Sequence, residues 1–365
     1  GGCVQKAVLL PYGKGHIELA LPEGKDYQFI YPRKITPGLS EEEIVLRALN
    51  SPINSKSLRE LTKDVKKILI ITNDNTRPMP SRITIPTIIR SFFYPHTYYD
   101  ITILIATGLH RKMTSEEMIE QFGEELCKTF KIINHDAKDD SQLVCLGKMS
   151  TGNELWLNKQ VVENELIISE GFIEPHFFAG FSGGRKSILP GIAGAKTIMQ
   201  NHNPLNIASQ YASGGNLDQN PIHIECTEAA IKAKLGFILN VALDDNKRII
   251  GAFAGDPIQA HIEGCKFVRD SMSVPVKKTD IVITTNNGYP LDRNLYQVVK
   301  GIDVASKVAK KGGVIIVVAK CSDGIGHAKF GELIMSCSSV EELYWKMSKP
   351  PCELDQWQVQ ILARA

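Results

Sequence analysis

The sequence predicts an α/β protein of two domains, each with a mostly parallel sheet flanked by helices and with the active site in the interdomain cleft. The chain has 365 residues, which is more than a single domain usually holds. Short apolar runs rich in β-branched residues recur along it, namely KKILIIT, ITILIAT, ELIIS, DIVITT and GGVIIVVA. Such uninterrupted runs are typical of strands that are buried on both faces. Because helical stretches separate them, the strands are expected to pair in parallel.

The remaining elements follow from local pattern. HIELALP alternates apolar and polar residues and predicts a half-buried strand at the edge of a sheet. SEEMIEQFGEELCKTF predicts one amphipathic helix with Ser115 as its N-cap, and a second helix is expected from about Pro257 to Asp270.

The domain boundary is expected near the polar, proline-containing stretch SMSVPVKKTD. We therefore assign residues 1–265 to an N-terminal cofactor-binding domain and residues 266–365 to a C-terminal domain that closes the cleft. The chain stops at DQWQVQILARA, a pattern typical of an unfinished helix. We therefore expect the C-terminal domain to be incomplete at its C-terminal end.

Composition excludes several classes of function. Lys and Arg number 42 against 40 Asp and Glu, so the net charge of +2 gives no strong field for nucleic acid or an anionic membrane. No apolar run approaches the ~20 residues of a membrane span, and the start of the chain has no signal-peptide pattern, so we expect a cytoplasmic protein. The eight cysteines form no CxxC pair, which favours reduced thiols over disulfides or a zinc ribbon.

Polar residues directly follow the predicted strands, where ligands bind in open parallel sheets. Asp74, Thr76 and Arg77 come after KKILIIT, and His110 comes after ITILIAT. The first group fits either an anion site or a capped helix start with a surface arginine. A lone histidine is more often structural than catalytic, so His110 needs support from its neighbours.

The third such loop, EGFIEPHFFAGFSGGRKSILPGIAGAKTIMQNHN, is rich in glycine and unusually long for a connection. Lys186 offers an ammonium group or a nucleophilic amine, and His176 and His202 offer imidazoles for acid–base chemistry or metal binding. A nucleotide P-loop is the rival interpretation of GFSGGRKS, but Arg185 stands where that motif requires glycine. Pro190 would also interrupt the helix that should follow.

Two strand ends of the second domain complete the set. After DIVITT, Tyr296, Gln297 and Lys300 lie within one helical turn, so Gln297 and Lys300 either face the cleft together or belong to an exposed helix start. His327 follows the next strand after SDGIG and ranks below the other histidines, because glycine-rich strand ends are common.

These motifs occur together in one order: NDNTRPMP, ATGLHRKMT, GFIEPHFFAGFSGGRKSILPGIAG, the pair Asn201 and His202, and NNGYPLDRNLYQVVKG. In this order they resemble the lactate racemase family, from near the N-terminus to DQWQVQ. Several long motifs in one order are far more specific than any one of them.

The resemblance implies a cofactor, a pyridinium-3,5-bisthiocarboxylic acid mononucleotide that grips nickel through two sulfurs and a ring carbon. By motif, Lys186 is its covalent tether, His202 is the nickel ligand, and His110 and His176 are the two acid–base histidines. Arg77 and Lys300 are expected to bind the substrate carboxylate. The further residues expected to contact the cofactor or line its pocket are Asp74, Thr76, Gly183, Gly184, Tyr296, Gln297 and Trp357.

The implied reaction is the racemisation or epimerisation of a 2-hydroxyacid by reversible transfer of hydride from its α-carbon, through a 2-keto acid. Lactate is the first substrate considered, while malate, an aromatic hydroxyacid and a sugar acid remain open. A protein that binds the cofactor or a nucleotide without racemising anything is the alternative of another class. A nicotinamide-dependent dehydrogenase would need a GxGxxG turn after the first strand, and a zinc hydrolase would need closely spaced ligands such as HExxH. The expected partners are the host proteins that make the cofactor.

Overall fold

The structure is a computed structural model and describes residues 6–31, 34–350 and 352–365. These residues form two compact units, a larger one of residues 34–201 and 210–273 and a smaller one of residues 6–31, 202–209 and 274–365. The predicted boundary between residues 265 and 266 remains a prediction. Within the described ranges, no helix has both the length and the apolar character needed to cross a bilayer.

Strands and helices are numbered along the chain. The strands are β1 (Lys6–Tyr12), β2 (Gly15–Leu21), β3 (Lys67–Asn73), β4 (Asp100–Ala106), β5 (Lys131–Asn134), β6 (Leu143–Lys148), β7 (Glu154–Asn158), β8 (Leu166–Phe172), β9 (Pro175–His176), β10 (Gly180–Phe181), β11 (Leu235–Leu243), β12 (Ile249–Gly255), β13 (Thr279–Thr285) and β14 (Ala309–Val318). The α-helices are α1 (Glu41–Asn50), α2 (Leu58–Leu61), α3 (Ser81–Arg90), α4 (Ser115–Phe122), α5 (Glu124–Thr129), α6 (Gln160–Glu163), α7 (Ala195–Asn201), α8 (Pro204–Ala208), α9 (Pro221–Lys232), α10 (Gln259–Met272), α11 (Leu295–Ser306), α12 (Ala328–Met335), α13 (Val340–Met347) and α14 (Gln356–Arg364).

The core of the larger unit is a six-stranded sheet in the order β12-β11-β8-β3-β4-β5. All of its pairs are parallel except β11 with β12. The apolar runs KKILIIT, ITILIAT and ELIIS form β3, β4 and β8, and their central side chains are buried on both faces. The predicted α/β fold with a mostly parallel sheet is therefore confirmed.

The register of the parallel pairs brings the ends of neighbouring strands to one edge of the sheet. Asn73 at the end of β3 pairs with Ala106 at the end of β4, and Asn240 of β11 pairs with Gly171 near the end of β8. The loops that follow β3, β4 and β8 therefore all begin at the carboxyl edge, where ligands of open α/β sheets bind.

The stretch predicted as one helix after β4 is two helices. Gly123 has φ +89° and separates α4 from α5, because a residue in that conformation cannot continue a right-handed helix. The N-cap is Thr114 rather than Ser115, and its hydroxyl accepts from the amide of Glu117 while the Glu117 carboxylate accepts from the amide of Thr114. The helix expected near Pro257 is confirmed as α10, shifted by two residues.

In the smaller unit, β13 and β14 form a parallel pair, while β1 and β2 form an antiparallel pair. HIELALP, which lies in β2 and extends one residue past its end, is thus an edge strand of a two-stranded sheet. The expectation that DIVITT and GGVIIVVA are buried on both faces is wrong. Ile281 and Val314 are 57% and 54% exposed, so the described residues do not cover both faces of these strands.

Buried Glu170 connects the sheet to the start of α3. Its carboxylate accepts hydrogen bonds from the hydroxyls of Thr72 on β3 (2.7 Å), Ser81 (2.6 Å) and Thr84 on α3. The N-cap residue of α3, Pro80, makes no side-chain cap, so the Glu170 carboxylate supplies acceptors and negative charge at that helix end. Glu170 therefore fixes both ends of the loop between β3 and α3.

A Glu170→Gln substitution should make protein stability less dependent on pH. Burial raises the pKa of Glu170, although the three hydroxyl bonds oppose the shift. Its stabilising contribution is therefore present below the ordinary glutamate pKa of 4.5 and is lost as pH rises through the folded pKa. Urea unfolding at about pH 5 and about pH 8 should show the variant gaining stability relative to wild type at the higher pH.

Glu165→Gln is the control for this measurement. Glu165 is exposed, and amide bonds from Lys67 and Lys66 lower its pKa, so its contribution is lost only as pH falls below the ordinary glutamate pKa of 4.5 and should stay nearly constant between the two pH values. A stability difference between Glu170→Gln and wild type that stays constant with pH would contradict the account.

Candidate active site

Asp74 and His110 form a hydrogen-bonded pair at the carboxyl edge of the sheet. Asp74 directly follows β3 and is 2% exposed, while His110 lies on the loop after β4. The Nδ1 atom of His110 is 2.8 Å from Oδ2 of Asp74. Thr76 donates to Oδ1 of the same carboxylate from its hydroxyl and from its main-chain amide. Three residues predicted from two separate loops are thus in direct contact.

The Asp74 carboxylate sets the tautomer of His110. Burial raises the pKa of Asp74, but the hydrogen bond and charge of His110, with the bonds from Thr76, outweigh it and the net pKa is below the ordinary value. Asp74 is therefore an acceptor at neutral pH, which places a proton on Nδ1 of His110 and a lone pair on Nε2. The ring is prepared to take a proton from a ligand.

His176 has the opposite arrangement. It lies on the short strand β9, stacks on Phe177 and meets Phe178 edge-on. Its Nδ1 atom accepts from the amides of Ala179 (3.2 Å) and Phe178 (3.4 Å). A neutral ring that accepts at Nδ1 carries its proton on Nε2, so His176 is prepared to donate a hydrogen bond.

The glycines before Lys186 are required by the shape of the turn. Gly183 has φ +81°, and a Cβ there would lie 2.8 Å from Oδ1 of Asn240. Gly184 has φ +53°, and its Cβ would lie 2.7 Å from the ring of His261. The Gly184 amide donates to Oδ1 of Asn240 (2.8 Å), so it serves the turn itself. Contact of Gly183 and Gly184 with a cofactor remains a prediction.

Lys186 lies on the 3₁₀ turn Gly184–Ser187 and is partly buried. Its Nζ atom lies 5.9 Å from the centre of the Phe178 ring. Desolvation lowers the pKa of Lys186 well below its ordinary value, and the positive charges of Arg77 and Arg185 act in the same direction. The amine is thus held in the neutral, nucleophilic form more readily than a surface lysine.

In the smaller unit, His202 lies against Trp357. The His202 ring is 5% exposed and meets the indole edge-on, with 5.7 Å between ring centres. The main-chain oxygen of His202 accepts from the Cys352 thiol, and Gln360 of α14 donates to the carbonyl of Pro204 at the start of α8. The packing of α8 on α14 therefore brings together two predicted site residues that are far apart in sequence.

Tyr296, Gln297 and Lys300 lie on the first turns of α11, as predicted. Asn294 caps this helix by accepting from the Gln297 amide (2.9 Å), and Gln358 of α14 donates to the carbonyl of Tyr296 (2.7 Å). Gln297 and Lys300 are exposed and share one face of the helix because they are three positions apart.

Some residues around these clusters were missed or ranked low by sequence reasoning. His327 stacks on Tyr296 with ring centres 4.0 Å apart, and its Nδ1 atom lies 3.2 Å from the buried carboxylate of Asp355. Asn240 holds the glycine turn, and its signal was available as the one polar residue inside LGFILNVAL. Arg185 was noted only as a mismatch to the P-loop, since arginine gives no sequence sign of burial.

Two family models match the chain. The model of the lactate racemase N-terminal domain matches residues 12–214, and that of the lactate racemase C-terminal domain matches residues 274–365. The chain belongs to the lactate racemase family. It is therefore an isomerase of the racemase type, and the resemblance seen in its motifs is confirmed.

Curated relatives support this membership over most of the chain. A lactate racemase of Thermoanaerobacterium thermosaccharolyticum is 44% identical over 360 residues, covering 97% of this chain and 84% of the relative. A lactate racemase of Lactiplantibacillus plantarum is 47% identical over 329 residues, covering 89% of this chain and 78% of the relative.

Solved structures agree on the fold. The structure of the lactate racemase apoprotein of T. thermosaccharolyticum matches with a TM-score of 0.93 at 44% identity, covering 98% of this chain and 86% of that one. A protein of Thermotoga maritima matches with a TM-score of 0.62 at 19% identity, covering 89% and 83% of the two chains, and supports the fold alone.

A Gly183→Ala substitution should destabilise this racemase more than Gly152→Ala. Both glycines have positive φ, +81° and +87°, but a Cβ at Gly152 meets no atom within 4 Å. The control should cost about 1–2 kcal/mol of unfolding free energy for its backbone conformation. Gly183→Ala should cost about 1–3 kcal/mol more, because its Cβ collides with Asn240. Equal costs in urea unfolding would mean that the turn adjusts freely.

Proposed function

We propose that this racemase is nickel-dependent and interconverts the enantiomers of a small 2-hydroxyacid, with lactate as the first substrate. The observation that carries the proposal is the relative named lactate racemase, which is 44% identical over 97% of this chain. We further propose that the enzyme works in the cytoplasm and relies on host proteins that make its cofactor.

The residues present fit a nickel-pincer nucleotide. Among the described residues, no group of three or more His, Cys, Asp and Glu side chains is arranged to hold a metal. A nickel ion that receives two sulfurs and a carbon from its cofactor needs only one protein ligand, and buried His202 can supply it. The desolvated amine of Lys186 suits a covalent tether.

When bound, the cofactor would supply reversible acceptance of hydride from the substrate α-carbon. Further residues would line the cofactor. The residues proposed to contact the group or line its pocket are Asp74, Thr76, Gly183, Gly184, Tyr296, Gln297 and Trp357.

The two histidines would handle the proton of the substrate hydroxyl. His110, with Nδ1 bonded to Asp74, takes that proton at Nε2 as the hydroxyl carbon is oxidised to the keto level. His176 would supply a proton from Nε2 to the keto oxygen as hydride returns to the other face, and for this its Nδ1 must release the two backbone amides and carry a proton of its own. When the other enantiomer reacts, His176 must take the hydroxyl proton at Nε2. Its Nδ1 must then carry a proton and release the two backbone amides, whereas Nδ1 of His110 is already bonded to Asp74.

Arg77 and Lys300 would hold the substrate carboxylate. A guanidinium can bind a carboxylate through two parallel hydrogen bonds, which fixes the position of the α-carbon, and an ammonium adds charge without that geometry. Loss of Arg77 should therefore affect turnover as well as substrate binding.

Protein produced in a host that makes the cofactor should carry an adduct on the Lys186 peptide, bind nickel, and lower the optical purity of D- and L-lactate. Intact and peptide mass, metal analysis and chiral chromatography measure the three properties on one preparation. A Lys186→Ala variant should lose the adduct and the activity, while Lys148→Ala, on an exposed lysine, should retain both.

Each departure from this result has a distinct meaning. A bare-chain mass without nickel, despite cofactor supply, would contradict the tether and favour a binding role for the glycine turn. Adduct and nickel without lactate turnover would support the proposed cofactor and indicate that the substrate is malate, an aromatic hydroxyacid or a sugar acid. Adduct without turnover of any hydroxyacid would support a cofactor-binding protein.

An Asp74→Asn substitution should lower kcat by about a thousandfold to ten-thousandfold while leaving nickel content unchanged, because the amide cannot hold His110 in the same tautomer. Asp136→Asn is the control, since that carboxylate pairs with Lys112 (3.2 Å). An equal loss of nickel and activity in Asp74→Asn would instead mean that Asp74 mainly holds the cofactor.

A further inference from the structure

Arg185 is a buried arginine around which the glycine turn is wrapped. Its side chain is 3% exposed. The guanidinium donates to the main-chain oxygens of Ala179 (2.6 Å), Phe181 (2.7 Å) and Gly183 (3.1 Å). Its Nε atom donates to Nδ1 of His223 on α9 (2.9 Å). One side chain therefore fixes alternate carbonyls of the segment that leads to Lys186.

The positive charge of Arg185 is not neutralised by a nearby acid. Among the residues that the structure describes, no carboxylate oxygen lies within ion-pair distance of this guanidinium. Two imidazoles contact the guanidinium, those of His223 and His261, and both are held in the neutral form. Desolvation lowers the pKa of His223 to about 3 and that of His261 well below its ordinary value, and Arg185 adds to both shifts.

Burying a cation without a counter-ion destabilises the folded protein, because no opposite charge offsets the loss of its hydration. Main-chain carbonyls compensate part of this cost and keep the guanidinium in place. Arginine also stays protonated where a lysine would release its proton. The chain therefore maintains a permanent positive charge immediately before Lys186.

The other groups that face Lys186 add to this field or oppose it weakly. Burial lowers the pKa of Lys186 most, and Arg77, from the loop after β3, lowers it more than Arg185 does. Cys226 on α9 has a pKa raised by burial to about 11, so its thiol is neutral at neutral pH. Glu174 acts in the opposite direction and has the smallest influence.

We propose that Arg185 is the positioning residue for cofactor attachment, shaping the turn through its carbonyl contacts and presenting the Lys186 amine as an uncharged nucleophile. This inference rests on the proposed function, because it gives Lys186 an electrophile to attack. It assigns the unpaired charge of Arg185 to the loading of the enzyme rather than to turnover.

The attachment step balances without an oxidant or reductant. The nitrogen lone pair of Lys186 forms a C–N bond to one thiocarboxylic acid carbon of the cofactor. Because both sulfurs are required as nickel donors, the C–O bond breaks, and the oxygen leaves as water with one hydrogen from the amine and one from the acid. The product is a thioamide that keeps its sulfur.

The test measures Lys186 directly on protein made without cofactor. Native protein is trace-labelled with light acetic anhydride over a range of pH, denatured, and fully labelled with the deuterated reagent, and the isotope ratio is read for each lysine peptide. The midpoint of the pH profile reports the ionisation of the amine, independently of its accessibility. Exposed Lys148 and Lys232 are internal references.

Lys186 in the wild type should become reactive at lower pH than both references. Arg185→Gln should shift the midpoint of Lys186 up towards theirs, because it removes a positive charge. Arg77→Met, on a partly buried loop residue, tests the electrostatic part in a background where the carbonyl contacts of Arg185 are intact. Arg77→Met should also raise the pH midpoint of Lys186 labelling.

The adduct measured by intact mass after expression with cofactor supplies the second readout. Arg185→Gln should reduce the loaded fraction at a fixed expression time, and molecules that are loaded should turn over normally. Wild-type Lys186 that titrates with the references, or a midpoint unchanged in both Arg185→Gln and Arg77→Met, would overturn the inference even if the wild type carries the adduct. A wild type without adduct but with the low midpoint would overturn the proposed function instead.

Discussion

The in-register parallel pairing of β3, β4, β8 and β11 is the constraint on which the larger unit depends. Their interiors are mostly apolar and buried on both faces, so polar side chains are concentrated beyond the strand ends. Because the register aligns those ends, the loops carrying Asp74, His110 and His176 all leave from one edge. The site follows from this alignment rather than from proximity in sequence.

Two buried ionisable side chains, one acidic and one basic, hold the loops at that edge. Glu170 accepts from three hydroxyls and anchors the loop that carries Asp74 and Arg77. Arg185 donates to three carbonyls and shapes the turn that carries Lys186. In each case neutral dipoles, rather than an opposite charge, compensate the ion. Such an arrangement fixes geometry while leaving the electric field of the charge available to its neighbours.

His110 and His176, which we propose as the acid–base histidines, differ in what binds Nδ1. A carboxylate binds Nδ1 of His110 and leaves a lone pair at Nε2, whereas two amides bind Nδ1 of His176 and leave a proton at Nε2. In the proposed reaction, His110 is ready to take a proton in this arrangement, whereas His176 must first exchange the partners of its Nδ1 atom. Neither ring identity nor loop position reveals it, since both residues are simply histidines after a strand.

The sequence by itself determined the α/β class and the strands β3, β4 and β8, because apolar runs depend only on local order. Its long motifs likewise determined the family and the loops that carry the candidate residues. It misjudged the helix after β4, where Gly123 breaks the pattern, and the burial of β13 and β14, which depends on what packs against the faces of these strands. Only the tertiary structure decided that Arg185 is buried, that Asn240 holds the glycine turn, and that Trp357 meets His202. These contacts join residues far apart along the chain, and burial and hydrogen-bond partners are properties of the packed fold rather than of any segment.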